Sequence, residues 1–480
     1  MLNKQKKKLV IAVASLMTVL SVNAQVIRFA DAWTLLQHKN NSIAAQRANV
    51  ARYQQLEKAD ESLDLPAITI GANYTRLDDD VTLSGEQILG SLDNASKASL
   101  QSPTLATALS GINVNFAEIA GATSTITEKD MFSSSIRAVW PIFTGGRINA
   151  AHSYASGRTD EAIARLKMET QARYEDLAKY YFSVVLAKEV LATRLSVERG
   201  LTQHRDFAIK LEQQGQIAKV ERLQAEASLT KAVVDRKKSQ KDLDIASSAL
   251  TEILNQPDKV IPQSALFINR TLPPISAFTE QTLTTYPGLD ILNAKEKQAA
   301  SSIKAEQGKY YPEVFLYGDY ALYEDDTLAS EMAPDWFVGI GINIPLIERS
   351  GRSGKVQAAH SAVLQVRHLR QQAKQDLTVL VEKSYFEAQQ AIEEVQGLDS
   401  SLTLAKENLK LRKKAFNQGL STSLDVVDAE LYLASIKTQQ QVASFNYVIA
   451  LNRLLALSSD MSAFTHYELS AFKLIKPEDK

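Results

Sequence analysis

Four short segments of the chain alternate between apolar side chains and small or polar ones with a period of two. Successive side chains of a β-strand point to opposite faces, so each segment predicts a strand with one apolar face. The apolar positions are Ile68, Ile70, Ala72 and Tyr74; Ile136, Ala138 and Trp140; Val314, Leu316, Tyr320 and Leu322; and Trp336, Val338, Ile340, Ile342 and Ile344. The predicted strands lie at about 66–76, 133–143, 312–323 and 336–346. Outer-membrane strands with aromatic ends show this pattern, and so does a half-buried soluble sheet.

Two much longer stretches have helical character. Proline, the strongest helix breaker, is absent between Pro141 and Pro257 and again between Pro345 and Pro477. Apolar residues recur there at heptad-like spacing, as at Leu398, Leu402, Ala405, Leu409 and Phe416. We predict helical hairpins at 146–254 and 351–457, with a first arm on the order of 100 Å long. Such helices pack in antiparallel pairs and against neighbouring subunits.

The chain contains two copies of one unit. Gly215 and Gly419 are 204 positions apart, and so are Glu221 and Asp425. Nearer the start of each copy, equivalent residues are 246 positions apart. The first copy therefore has about 42 extra residues between its two strands, and we predict that they form an external loop at 78–131. The predicted division is a first repeat at 25–254, an inter-repeat linker at 255–282, a second repeat at 283–457 and a C-terminal tail at 458–480.

The first 24 residues have the pattern of an export signal. Four lysines between Lys4 and Lys8 precede an apolar run from Leu9 to Val22, and the small-residue cleavage pattern ends at Ala24. We therefore predict a signal peptide at 1–24, the alternative being an uncleaved anchor. No other stretch approaches the roughly 20 apolar residues of a membrane-spanning helix, so a membrane crossing would have to use strands.

Composition excludes several functions. The formal net charge of −1 gives no reason to expect a nucleic-acid partner. The chain has no cysteine, and its 6 histidines do not form a zinc motif. No convergent nucleophile, base and orienting group is recognisable, so we expect no enzyme activity, no cofactor and no metal site.

Four strands cannot close a barrel, and lipid does not tolerate an open sheet edge. A membrane sheet in this chain must therefore be completed by other subunits. Two chains would supply 8 strands, whose interior is filled by side chains, whereas three would supply 12 and leave a lumen. We predict a homotrimer in contact with outer-membrane lipid.

The sequence resembles the outer membrane efflux protein family, the TolC-like channels. The resemblance covers the predicted mature chain and is carried by the duplicated element order, by the strand exit Pro-Ile-Phe-Thr-Gly-Gly-Arg at 141–147, and by the turn at 419–428. It implies a mainly α fold with a small β part, in which long antiparallel coiled helices and four strands are duplicated. Three chains would then form a 12-stranded membrane β-barrel continued by a 12-helix periplasmic tunnel.

The resemblance also implies a function. The protein would be the outer-membrane exit channel of a tripartite efflux or type I secretion system in a Gram-negative bacterium. A periplasmic adaptor, or membrane fusion protein, and an inner-membrane transporter would open this passive duct at its periplasmic tip. The alternative is a non-conducting structural or adhesive outer-membrane protein built from the same coiled helices.

Site residues follow from the resemblance. Asp425 and Asp428 match the entrance aspartates of the family, and Glu221 occupies the position equivalent to Asp425 in the first copy. Three subunits would then form rings of carboxylates, which favour cations and can be blocked by them. A structural alternative is also sound, and both interpretations can hold at once, because Thr422 followed three residues later by Asp425 is a variant of the helix capping box.

One departure from the family pattern concerns the closed tip. The basic residue that family members often carry shortly before the first entrance aspartate is Ser421 here. Lys219 and Arg222, which flank Glu221, are the candidate replacement cations for pairing with Asp425 or Asp428. A solvated, charged helix start is the alternative interpretation.

The two turns each contain a glycine at the same repeat position. We predict that Gly215 and Gly419 adopt left-handed backbone conformations that end one helix and allow reversal into the next. The resemblance places adaptor docking at these turns, and Leu420 is the candidate contact.

Overall fold

A computed structural model describes residues 25–83, 124–327, 330–331, 333–347 and 349–471. The predicted signal peptide and most of the predicted external loop lie outside the described residues. The described residues form two compact units. Those of the first lie within Met1–Arg52, Asp160–Asn293 and Arg367–Lys480, and those of the second within Tyr53–Thr159 and Ala294–Val366. Each unit therefore draws on both halves of the sequence.

In chain order the described elements are β1 (Gln25–Ile27), α1 (Phe29–Lys39), α2 (Asn41–Asp60), β2 (Ala67–Arg76), β3 (Val81–Leu83), β4 (Ser124–Thr127), β5 (Asp130–Phe143), α3 (Arg147–Gln213), α4 (Lys219–Ile253), β6 (Val260–Pro262), α5 (Ile275–Thr285), α6 (Pro287–Gly308), β7 (Glu313–Glu324), β8 (Trp336–Asn343), α7 (Arg352–Asn417), α8 (Ser423–Leu457) and α9 (Phe464–Ser470). Short 3₁₀ turns lie at Glu61–Asp64 and Met461–Ala463. No helix of the described part is both long and apolar enough to cross a bilayer.

The second unit contains a four-stranded antiparallel sheet with the order β2-β5-β7-β8. It joins the copies, because β5 of the first pairs with β7 of the second. Pro141 lies near the end of β5, where the ladder to β7 shifts register between Pro141 and Phe143, and proline is tolerated at such irregularities. One face of the sheet is apolar, and on its outer strands β2 and β8 this face is open, with exposed fractions of 73% at Ile70 and 62% at Ile342.

The first unit is held by an aromatic core. The ring of Phe29 lies 4.6 Å from that of Phe464 and 5.4 Å from that of Tyr181, centroid to centroid. The Tyr181 hydroxyl donates to the carbonyl of Ile27 at 2.7 Å and accepts from the backbone N–H of Ser264 at 3.0 Å. Since β1 pairs in parallel with β6, this hydroxyl joins the start of the described chain to the segment between the two copies.

The element bounds repeat with the offsets of the sequence. Helices α4 and α8 both have 35 residues and begin 204 positions apart, at Lys219 and Ser423. Helices α1 and α5 both have 11 residues and begin 246 positions apart, at Phe29 and Ile275. The predicted fold class, a mainly helical duplicated repeat with four sheet strands, is confirmed.

The sequence pattern did not predict the short strands. Strands β1 and β6 have 3 residues each and form a parallel pair, and β3 pairs with β4 where the predicted external loop leaves and rejoins the described chain. Segments this short have no readable periodicity, so only pairing partners distant in sequence define them.

Candidate functional site at the hairpin tips

The first hairpin, α3 with α4, and the second, α7 with α8, turn at equivalent glycines. Gly215 has φ +67° and Gly419 has φ +73°, so both predicted left-handed conformations are confirmed. At each turn the glycine N–H and the next N–H return to carbonyls of the last helical turn, as in the bond from Leu420 N to Ala415 O of 2.9 Å. This Schellman arrangement satisfies carbonyls that a helix end leaves open. It leaves the Leu420 side chain 78% exposed at the turn.

Helix α8, which carries both candidate entrance acids, begins with a capping box. The Thr422 hydroxyl accepts from the backbone N–H of Asp425 at 3.2 Å, and the Asp425 carboxylate accepts from the backbone N–H of Thr422 at 2.9 Å. The Ser421 hydroxyl also donates to Asp425, at 2.9 Å. The structural interpretation of Thr422 and Asp425 is therefore confirmed.

These hydrogen bonds set the charge state of Asp425. Donation from the Thr422 backbone, followed by the Thr422 and Ser421 hydroxyls and by nearby Arg412, lowers the pKa of Asp425 to about 2. The Arg412 guanidinium lies 3.4 Å from the carboxylate, and both side chains are more than a third exposed, so this ion pair is weak. Asp428, one turn further along α8, is exposed to solvent.

Glu221 links the two hairpins within one chain. Its carboxylate accepts from the backbone N–H of Ser423 at 2.6 Å. Ser423 is the first residue of α8, so an acid of the first copy satisfies an N–H that the helix start of the second copy leaves open. The carboxylate also lies at the positive end of the α8 dipole, where a negative charge is favourable.

His204 of α3 contacts the side chain of the same serine. Its Nε2 lies 2.6 Å from the Ser423 Oγ, and its ring stacks at a tilt on Phe416, with centroids 4.6 Å apart. The residue is 6% exposed. Burial, together with the positive charge of Lys413, lowers the pKa of His204 to about 4, so the imidazole is neutral at neutral pH.

A buried carboxylate lies deeper in the helices. Glu430 of α8 is paired with Lys413 of α7 at 2.7 Å, and its side chain is 8% exposed. Gly200 of α3 faces it, since a Cβ at that position would lie 2.7 Å from the carboxylate. The glycine thus makes room for an ion pair between the two helices of the second hairpin.

The candidate gate cations have different surroundings. Arg222 pairs with Glu212 and with Glu226, each at 2.6 Å, and so binds acids of its own hairpin. Lys219 is exposed at the start of α4. Within the chain Arg412, and not Arg222, is the cation beside Asp425. Pairing of Lys219 or Arg222 with Asp425 or Asp428, which would hold the entrance shut, stays a prediction.

Sequence reasoning missed His204, Arg412, Lys413 and Glu430. Each acts through a partner on another helix, so no local spacing marks it. The one available signal is that Lys413 and Glu430 lie close to the Gly419 turn on either side of it, where antiparallel helices bring their side chains together.

The fold and its paired tips define a duplicated helical-hairpin protein with a small antiparallel sheet. The chain belongs to the outer membrane efflux protein family, whose model matches residues 34–256 and 280–459. The family is one of outer-membrane proteins and not of enzymes. No curated protein sequence matched the chain.

Several solved structures share the fold. CusC, described in a study of folding and transmembrane channel formation, aligns with a TM-score of 0.71 at 15% identity, over 92% of this chain and 95% of CusC. The outer membrane protein VceC of Vibrio cholerae aligns with a TM-score of 0.69 at 14% identity, over 90% and 96%. The open outer membrane channel MtrE of Neisseria gonorrhoeae aligns with a TM-score of 0.66 at 19% identity, over 90% and 89%.

Proposed function

We propose that the protein is the outer-membrane exit channel of a tripartite efflux or type I secretion system. The observation that carries the proposal is the four-stranded sheet. Its outer strands, β2 and β8, each have one edge without a partner in the described chain, and its open face is apolar. Lipid excludes free sheet edges, so a sheet of this kind is completed by copies of itself.

Three chains close the sheet with 12 strands and leave a lumen, whereas two chains would give a filled barrel. The same threefold axis would group three pairs of helical hairpins into a tunnel of 12 helices. The long apolar stripes of the arms support this arrangement, since many large apolar side chains remain exposed on one chain, among them Val234, Ile245 and Leu404.

The entrance of the duct lies at the hairpin tips. Asp425 and Asp428 form two acidic rings, with Glu221 beside them, and cations are favoured in the opening. The low pKa of Asp425 supports this role, because the carboxylate stays charged over the whole physiological pH range. A periplasmic adaptor contacts the tips at Gly215, Gly419 and Leu420, and the inner-membrane transporter supplies the energy.

Single-channel conductance of the purified protein in a planar bilayer tests the proposal. We expect small cation-selective currents that divalent cations block, and we expect Asp425→Asn combined with Asp428→Asn to abolish the block. Glu393→Gln combined with Glu394→Gln is the matched control, because these acids are exposed on α7 away from the tip. Inserted protein that conducts in none of these forms would favour the non-conducting structural or adhesive alternative.

A further inference from the structure

His204 is a buried titratable group that the proposed duct does not use. It lies between the two hairpins, with the Ser423 hydroxyl on one side and the Phe416 ring on the other. Neutral imidazole suits this position, since it can share one hydrogen bond with the hydroxyl and pack its ring against an aromatic side chain.

Charged imidazolium does not suit it. Ser423 begins α8, so His204 lies at the positive end of a 35-residue helix, where a second positive charge is unfavourable. Lys413 of α7 adds a like charge, and burial removes the solvent that would stabilise the cation. Burial, followed by the positive charge of Lys413, lowers the pKa of His204 to about 4.

The other charged groups around the histidine are engaged elsewhere. Glu221 of α4 is bound to the Ser423 N–H, and Glu430 of α8 is paired with Lys413. On α3 itself, Arg205 and Asp206 pair with each other at 2.8 Å. In the described part of the chain, these groups therefore provide no direct carboxylate partner that would hold a proton on the ring.

We propose that His204 is a proton-sensitive positioning residue, which holds the start of α8 against the first hairpin when neutral and releases it when protonated. Asp425 and Asp428 lie within two turns of Ser423, so release of this helix start also frees the candidate entrance acids. The consequence for channel opening rests on the proposed function. The release itself does not.

The direction and size of the effect follow from proton linkage. Once released, the histidine has its ordinary pKa of 6.5, so the released state binds more protons than the held state at every pH between about 4 and 6.5. Acid therefore favours release. Between about pH 7.5 and pH 5, full exposure of the ring would raise the ratio of released to held tips roughly thirtyfold.

Hydrogen exchange at the first turn of α8 measures the release in the assembled protein without any need for conduction. We expect protection of the Ser423 and Asp425 amides to fall by up to roughly thirtyfold more in the wild type than in His204→Gln between those two pH values. Glutamine keeps a polar group near the position of Nε2 and does not titrate. Comparing the two proteins at each pH cancels the intrinsic pH dependence of exchange.

Two controls keep the test decisive. His360→Gln changes an exposed histidine of α7 and is expected to behave as the wild type. The first turn of α4 is the equivalent turn of the other copy, and there the Glu221 N–H donates to the Ala218 carbonyl. Within the wild type, the acid effect should therefore appear in the α8 turn and not in the α4 turn. Equal pH dependence in the wild type and His204→Gln, or in both turns, would overturn the proposal.

Conductance separates this proposal from the proposed function. If the protein conducts, we expect acid on the tip side to raise open probability in the wild type and in His360→Gln but not in His204→Gln. Conduction without any His204-dependent change would overturn the consequence for channel opening and leave the proposed channel standing. His204-dependent exchange in a protein that never conducts would leave the proton-sensitive release standing and overturn the proposed channel.

Discussion

The carboxylate of Glu221 lies 2.6 Å from the backbone nitrogen of Ser423, 202 positions further along the chain. Glu221 is in the first turn of α4 and Ser423 opens α8, so the contact joins equivalent helix starts of the two copies. Each helix start of this pair is therefore positioned in part by the other hairpin, and the tips behave as one packed unit. A small apolar core of Ala208, Leu211, Ala225, Phe416 and Val426 lies directly beneath.

Replacing this carboxylate tests the contact. We expect Glu221→Ala to lower the free energy of unfolding by about 1 kcal/mol, because it removes an acceptor at the N-terminus of α8. The measurement is denaturant unfolding combined with hydrogen exchange at Ser423. Glu382→Ala, at an exposed acid of α7, should change neither. Equal effects of the two substitutions would contradict the assigned contact.

Two glycines of the second hairpin, one in the turn and one inside a helix, should respond with opposite signs to replacement by alanine. Gly419→Ala places a Cβ on a residue with φ +73°, so we expect a loss of about 1–2 kcal/mol in the free energy of unfolding. Gly397→Ala lies inside α7 with open space around its Cβ, so we expect a gain of up to about 1 kcal/mol. Thermal or denaturant unfolding of both variants checks the contrast, and equal signs would refute it.

The ion pair between Lys413 and Glu430 should respond unequally to removal of its partners. The Glu430 side chain is 8% exposed and that of Lys413 is 39% exposed, so only the lysine can reach water when left alone. We expect Lys413→Met to cost about 2–3 kcal/mol of unfolding free energy and Glu430→Gln less than about 1 kcal/mol. The double variant should be more stable than Lys413→Met alone. If Glu430→Gln lowered the free energy of unfolding more than Lys413→Met does, the carboxylate would not be the charge that is left buried without a partner.

Asp425 predicts an acid-side pH dependence of stability. Its pKa is lowered from 3.8 to about 2, so its contribution is fully present above pH 4 and is lost as the pH falls through about 2. The difference in unfolding midpoint between the wild type and Asp425→Asn should shrink over that interval. Ser421→Ala combined with Thr422→Val removes two hydroxyl donors. In this background the pH interval over which the difference shrinks should move up towards 3.8, the ordinary pKa of aspartate. An unchanged interval would mean that these hydroxyls do not set the pKa.

Much of the architecture could be read from the sequence, because it repeats. A strand with alternating faces, a proline-free stretch and a glycine turn each have a local signal, and a constant offset between copies reinforces it. The positive φ values at Gly215 and Gly419 and the Thr422–Asp425 capping box follow from local rules, and the structure confirms them.

The contacts between the hairpins could not be read in this way. His204 meets Ser423 only because α3 and α8 pack with a particular rotation and axial shift, which many side chains determine together. Likewise, the sequence offered Lys219 and Arg222 as cations near the acids, whereas the antiparallel return of α7 brings Arg412 to Asp425. Proximity along the chain was a poor guide to proximity across a helical hairpin.

The ladder between β5 and β7 has an evolutionary consequence. It joins the two copies by ordinary backbone pairing, the same kind of bonding that a free edge of β2 or β8 offers to a neighbouring chain. An ancestor with a single copy would have carried two strands, one helical hairpin and two free edges. In the proposed trimer, six such chains would supply the elements that three duplicated chains supply, so duplication would have halved the number of molecules to be assembled without requiring a new kind of strand pairing.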